Sequence, residues 1–454
     1  MSGGKQKSIS NKGDRRLRLL FVGDIHLGRR PSQIPEDIVD YGVNLADLTP
    51  IAAWNRAVNW AINNDIDAVV LAGDVVEGIE DRFEAYGHLE RGVRKLSDKN
   101  IRTLAVAGNH DVQALPRLAD QIDQFKLLGR GGKWESVEIT GRSGGRVRLL
   151  GWSFPEKHVR RNPLNDPMEQ IPADLPIIGI LHCDVDGGNS QYAPVPRSAF
   201  EQAPGDAWFL GHIHKPGDLS GKRPIGYLGS LVGLDPGEPG LHGPWLAIIS
   251  DSGAIEMSQL ALAPLRYERV ELSIESVSGM APEDLEDEFA AALLLALNTV
   301  HDRIRDTLGD TRVVACRITL TGRSSSHEGI RHMLRDGNVL AQKCEIGGIV
   351  FFIEKILDQS APDLDLAEIA KGSHPPALLA RRLIHLQKGG TAVQQLIAGA
   401  TNEIDRTTRS VLGAFAITDE PATAPDMHEL LLRAGFEALE ELLAQTGTGE
   451  EAEA

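Results

Sequence analysis

Five stretches of this chain end an apolar run in residues that can hold a metal ion: Gly23-Asp24-Ile25-His26, Gly73-Asp74, Gly108-Asn109-His110-Asp111, His182 and Gly211-His212-Ile213-His214. The runs before them, Leu17 to Val22, Ala68 to Leu71, Thr103 to Ala107, Ile177 to Leu181 and Ala207 to Leu210, read as buried strands. Clefts at the carboxyl ends of strands are where open α/β sheets bind ligands. One polar turn after a strand is ordinary, but five of them point to a shared site. Histidines with two aspartates and an asparagine make a mixed nitrogen and oxygen donor set, which suits borderline ions such as Mn, Fe or Zn and needs no thiolate. The pairs Asp24/His26 and His212/His214 alternate, which on extended backbone puts both members on one side. Asp74, a lone carboxylate between the other ligands, is the natural bridge between two ions held close together. Two such ions clamp a phosphate, generate hydroxide near neutral pH and stabilise the oxygens of an in-line displacement at phosphorus.

The elements that must position these residues alternate strand and helix over the first hundred residues, the mark of a layered α/β domain. Ile51, Trp54, Val58, Ala61 and Ile62 fall at helical spacing, and Arg82 to Lys99 reads as a second helix. Strands then predominate: Trp134 to Ile139, Val147 to Trp152, Ile225 to Leu228, Trp245 to Ile249 and Ile255 to Leu260. Two packed sheets with helices outside are expected. Pro264 is a boundary. After it come a strand at Arg266 to Ile274, a long helix at Pro282 to Arg305 and strands at Arg312 to Leu320 and Gly348 to Ile353, a small α+β unit. From Ala377 strands give way to helices around Leu378 to Leu386 and Leu430 to Leu443, with Pro421 and Pro425 marking a linker.

Bulk properties narrow the class. A chain of 454 residues has room for two or three domains, and 42% hydrophobic residues is ordinary for a globular protein. The longest apolar run, Phe289 to Leu297, is too short to cross a bilayer, and the polar, basic N-terminus has no apolar segment of the secretory kind. Cys183, Cys316 and Cys344 are scattered and odd in number, which fits reduced thiols in a cytoplasmic protein. A net charge of −17 argues at first against nucleic acid as a partner. Yet twelve acidic residues against three basic ones lie beyond Thr401, where they can stay clear of a cleft, while the first thirty residues are basic.

The order of the five motifs resembles the calcineurin-like metallophosphoesterase superfamily over about residues 17–260. Within it the chain resembles the SbcD-type DNA repair nucleases, their YhaO-like branch included, through Tyr227-Leu228-Gly229-Ser230 with Glu238, Gly240 and Gly243, and through the α+β unit after Pro264, similar to that family's DNA-capping domain. The resemblance implies a four-layer αββα sandwich with a small α+β capping domain and a helical C-terminal region. The divisions would be a disordered basic tail at 1–15, a nuclease domain at 16–264, the capping domain at 265–372 and a partner-binding helical region with an acidic tail at 373–454. It implies that Asp24, His26 and His214 hold one metal and Asn109, His182 and His212 the other, with Asp74 bridging and Mn2+ the expected ion. His110 would be the acid that protonates the leaving 3′ oxygen, a task that suits an imidazole because it titrates near working pH. Asp111 or Glu77 could keep it protonated. The resemblance further implies DNA as substrate, exonuclease and some endonuclease activity, a homodimer and an SbcC-like coiled-coil ATPase as partner. A phosphodiesterase of cyclic nucleotides or other small phosphate esters shares all five motifs, and a scaffold that kept the fold would show a missing ligand, which this chain does not.

One departure stands out. Many family members carry His or Asp three residues after the bridging aspartate, and this chain has Glu77. Of the other histidines, His88, His242, His301 and His385 read as surface or core residues, and His158 lies in the basic loop Lys157-His158-Val159-Arg160-Arg161, which could touch DNA phosphates. Cys183 follows His182 and should point away from the site into the core.

Overall fold

The computed structural model describes residues 16–78, 80–335, 342–412 and 427–450. The expected tail at 1–15 and the linker at Pro421 and Pro425 lie outside them. The chain divides into two compact units. One draws on Met1–Glu268, His301–Cys316 and Lys343–Glu354; the other on Arg269–Val300, Arg317–Gln342 and Lys355–Ala454.

In the first unit, apolar runs of five to seven residues make strands because neighbours of the same kind are available on both sides. β1 (Leu17–Val22), α1 (Pro50–Asn63), β2 (Ala68–Ala72), α2 (Arg82–Ser97), β3 (Arg102–Val106), α3 (Ala114–Gln121) and β4 (Phe125–Leu127) lead into β5 (Glu135–Thr140), β6 (Arg146–Trp152) and β7 (Ile177–His182). The short β8 (Asp184–Val185), β9 (Pro194–Val195) and α4 (Arg197–Gln202) precede β10 (Ala207–Gly211), β11 (Ile225–Tyr227), β12 (Trp245–Ile249) and β13 (Ile255–Gln259). A six-stranded sheet has the order β13-β12-β1-β2-β3-β4 and a five-stranded sheet the order β11-β10-β7-β6-β5. β1 to β4 are mutually parallel, as are β6, β7, β10 and β11. Parallel pairing puts the carboxyl ends of β1, β2 and β3 at one edge, and likewise those of β7 and β10.

Alternation along each strand builds the layers. Leu19 and Phe21 of β1 and Val70 of β2 meet Leu149, Ile178, Ile180 and Phe209 of the other sheet in one buried cluster, with the rings of Phe21 and Phe209 4.5 Å apart edge to face. Leu20, Val22, Val69 and Leu71 turn the other way, onto Trp54, Ala57, Leu89, Val93 and Leu115 of α1 to α3. Beyond the five-stranded sheet, Trp152, Leu181 and Trp208 pack with Phe200 of α4 and with loops. The layers are therefore helix, sheet, sheet and a thin fourth layer that is mostly loop. α3 and β4 do not stand out in the sequence: α3 is eight residues long and begins beside Pro116, and β4 has three residues, too few to show a period.

Further along lie β14 (Leu265–Ser273), α5 (Pro282–Ile304), β15 (Val313–Thr321), β16 (Arg323–Ser324), α6 (His327–Arg335), β17 (Lys343–Ile346), β18 (Ile349–Asp358), β19 (Ala361–Pro362), α7 (Leu366–Ile369), α8 (Pro375–Lys388), α9 (Thr391–Leu412) and α10 (Met427–Glu450). In the second unit Leu366, Ala380 and Leu383 bury against Phe436 and Leu439 of α10. Glu440 of α10 lies 2.8 Å from His327 Nδ1, and the Arg323 guanidinium sits over the Phe436 ring at 4.9 Å. The apolar faces of α8 and α10, which the sequence alone leaves in need of a partner, thus find each other. No helix among the described residues is long and apolar enough to cross a membrane.

Candidate metal centre

The five strand ends converge. Close approach there demands glycine: a Cβ on Gly108 would lie 2.2 Å from Asp74 Oδ1, and Gly73, at φ 92°, would put one 2.5 Å from His182 Nδ1. The approach of Asp24 and His26 is not the extended alternation expected from their spacing. Both have left-handed backbone, φ 30° and 52°, as does Asp74 at 47°, and His212 has φ 104°. The chain curls at these turns instead of continuing the pleat, and such strain is held where the surroundings over-determine it.

His26 Nε2 stands 3.0 Å from His214 Nε2. The Nδ1 atoms of the same rings lie 2.6 Å from Glu77 Oε2 and 2.6 Å from Glu238 Oε1. With both Nδ1–H groups donated to carboxylates, the two Nε2 lone pairs face each other, which needs a cation or a proton between them. His182 is set the same way by a backbone acceptor. Its Nδ1 donates to the Ala72 carbonyl at 3.1 Å, leaving Nε2 3.2 Å from Asp74 Oδ2 and 3.0 Å from Asn109 Oδ1. Asp74 Oδ2 is also 3.9 Å from His26 Nε2, so this carboxylate stands between the two imidazole groups. Asp24 accepts the His212 backbone N–H on Oδ1 at 3.0 Å, while its Oδ2 is buried with no hydrogen-bond partner. His212 packs against His182, ring centroids 5.3 Å apart, and against Tyr192 at 5.2 Å.

Ligand atoms of Asp24, His26 and His214 lie within 4.8 Å of one another, as do those of Asp24, Asp74 and His182 and those of His26, Glu77 and His110. The orphaned Asp24 oxygen, the facing imidazole nitrogens and the oxygen and nitrogen donor set fit divalent ions. Protons compete for the same places. Burial lowers the His182 imidazolium, but Asp74 and Asp24 outweigh it and raise it to about 9. His214 is likewise raised against burial, by its bond to Glu238 and by Asp24. Burial raises Asp24, whereas in Asp74 burial is overcome by His182 and its neighbours, which hold the carboxyl below the usual range. His212, desolvated and beside His182, falls to about 3.

His110 lies at the rim, its side chain 39% exposed, with Nδ1 3.0 Å from the Glu77 carbonyl and 3.9 Å from Glu77 Oε1. Its backbone N–H donates to Asp74 Oδ1 at 3.0 Å. Asp111 does not support it. That carboxylate is fully buried and accepts the N–H groups of Val75 and Gly108 at 2.7 and 2.8 Å, stapling the ends of β2 and β3; burial beside Asp74 raises it to about 7. Glu77 is the residue that touches His110, and it also holds His26. Both Glu77 and Glu238 are held below the usual carboxylate range by those histidines despite burial. No sequence motif marks the pairing of Glu77 with His26, of Glu238 with His214 or of Tyr192 with His212. Cys183 is buried away from the centre in the outer cluster with Trp208, as its position after His182 implies.

The family model for calcineurin-like phosphoesterases matches residues 17–216. The chain is similar to the uncharacterized metallophosphoesterase YhaO of Bacillus subtilis, 23% identical over 60% of this chain and 68% of that protein. It is also similar to the DNA double-strand break repair protein Mre11 of Haloferax volcanii, 26% identical over 60% of this chain and 59% of that one. Among solved structures, a dimetal phosphatase from Danio rerio covers 54% of this chain and 98% of its own at 12% identity and a TM-score of 0.32. Residues 17–216, which hold Asp24, His26, Asp74, Asn109, His182, His212 and His214, are thus similar to the calcineurin-like phosphoesterases.

Proposed function

We propose that the protein is a two-metal phosphodiesterase that cleaves DNA, as an exonuclease with endonuclease capacity in end processing. The observation that carries this reading is the convergence of Asp24, His26, Asp74, Asn109, His182 and His214, with the His212 ring packed against His182 and His110 at the rim of the same site. In the reading, Asp24, His26 and His214 would hold one ion and Asn109, His182 and His212 the other, with Asp74 available to both. Two bound ions, Mn2+ the expected pair, would supply a nucleophilic hydroxide and neutralise the phosphate oxygens. The chain does the rest. Glu77, Glu238 and the Ala72 carbonyl keep Nε2 of His26, His214 and His182 turned inward. As the new O–P bond forms and the P–O3′ bond breaks, His110 gives its proton to the departing 3′ oxygen, its ring set by the Glu77 carbonyl.

DNA is favoured over a small ester by the name that the archaeal relatives carry, DNA double-strand break repair protein, and by the long stretch of chain beyond the phosphoesterase domain. The homodimer, the SbcC-like ATPase and the cytoplasmic setting belong to the same proposal; the last is supported by three free cysteines. Purified protein with Mn2+ and labelled double- and single-stranded DNA, beside a cyclic nucleotide, tests it. Cleavage of DNA that stops with chelator and returns with Mn2+ is expected. Turnover of the cyclic nucleotide without cleavage of DNA would put the small-ester reading in its place.

A further inference from the structure

His242, read from the sequence as a surface or core residue, is 1% exposed in the segment between β11 and β12 and reaches the metal centre through two partners. Its Nε2 is 3.0 Å from the Glu238 carbonyl, which can only accept, so Nε2 carries the hydrogen. The ring is desolvated, which favours its neutral form, and Nδ1 lies 2.9 Å from Ser230 Oγ and 3.2 Å from the Ser230 carbonyl, while that hydroxyl donates to the Val232 carbonyl at 2.9 Å. Ser230 donates its backbone N–H to the His214 carbonyl at 2.8 Å, and the next N–H, of Leu231, points at the Asp24 carbonyl at 3.4 Å. Glu238 takes the His214 ring on Oε1 at 2.6 Å and the Leu234 N–H on Oε2 at 2.9 Å. The imidazole of His242 therefore cross-links two ends of one loop: the end that touches the backbone of Asp24 and His214, and the end that holds the His214 ring.

We propose that His242 and Ser230 are positioning residues that set His214 through Glu238, and with it the affinity of the ion held by Asp24, His26 and His214. The proposal rests on the two-metal reading of the site. Partners that orient a ligand ring change metal affinity by about 10–100-fold when lost, and a residue one step further out belongs at the low end.

The test measures Mn2+ binding to the full chain, stripped of metal, from the electron paramagnetic resonance signal of the free ion. The unaltered chain should take up two ions. His242→Ala should weaken one of them about tenfold and leave the other. His242→Gln, which keeps an N–H near the Nε2 position, should recover part of the loss. Glu238→Gln should weaken the same ion, and the double variant His242→Ala/Glu238→Gln should lose no more than Glu238→Gln alone, because both effects pass through one carboxylate. Unchanged affinity in folded His242→Ala, or fully additive losses in the double variant, would overturn the proposal. If His242→Ala does not fold by circular dichroism, Ser230→Ala carries the same comparison with the same outcomes. An unaltered chain that binds no Mn2+ would overturn the two-metal reading and this inference with it.

Discussion

Glu77 acts with two different groups, its side chain on His26 and its backbone carbonyl on His110. Where the sequence resemblance implies histidine or aspartate, this chain thus has a residue that links a proposed ligand to the proposed acid. Asp74 is the other residue on which much converges. Its Oδ2 stands between the Nε2 atoms of His182 and His26, and its Oδ1 takes the His110 N–H. Asp74→Ala should therefore lose both ions and all activity, and metal analysis finding two fully occupied ions in that variant would remove the bridge. His110→Gln should behave differently. It should keep both ions and DNA affinity while cleavage falls by about 10²–10⁴-fold, the usual share of a positioned general acid. Bis-nitrophenyl phosphate, whose leaving group needs no proton, should be much less affected. Equal loss on both substrates, or loss of metal, would make His110 a ligand or a structural residue.

At the scale of elements, the site depends on strand ends packed too closely for a side chain. The Cβ added by Gly108→Ala meets Asp74 Oδ1 at 2.2 Å and His182 Cε1 at 2.8 Å, so Asp74 or the β3 turn must move. The expected cost is about 1–3 kcal/mol, as for overpacking elsewhere, with Mn2+ affinity falling as well. Melting curves with and without chelator check both, and an unshifted midpoint would mean that the turn has room. Apolar side chains fill the interface between the two sheets. Phe209 meets Phe21 across that interface and is fully buried, so Phe209→Ala should cost about 3–5 kcal/mol in urea unfolding. A loss well under 1 kcal/mol would mean that the interface collapses to refill the space.

For the whole molecule, the question is how the second unit serves the proposed partner. α8 and α10 spend their apolar faces on each other, and a deletion from residue 375 would strip Leu366 of Leu383, Phe436 and Leu439. Such a deletion confounds unfolding with lost docking. Leu378 on α8 and Leu396 on α9 remain more than half exposed, and they offer a cleaner test. Leu378→Glu/Leu396→Glu should leave Mn2+-dependent cleavage intact and abolish co-purification with an SbcC-like ATPase. Full co-purification would move the docking face elsewhere.

The ligand residues were legible in the sequence because each sits where an apolar run stops, and a buried strand of five or six residues announces its own end. Residues such as Asp24, Asp74 and His182 could therefore be named from type and position, and the pairing of two sheets followed from the count and character of the runs. The left-handed backbone at Asp24, His26 and Asp74 was not legible, because φ there is set by what crowds the turn and not by local propensity. Nor was the hold of Glu77 on His26, of Glu238 on His214 or of His242 on the Glu238 carbonyl: 24 residues separate His214 from Glu238 and 51 separate His26 from Glu77, and no period or motif spans such gaps. Helical spacing showed that α8 and α10 had apolar faces to bury, but periodicity carries no information about the partner. Tertiary packing supplied it, since Ala380 and Leu383 of α8 and Phe436 and Leu439 of α10 are desolvated at once against each other.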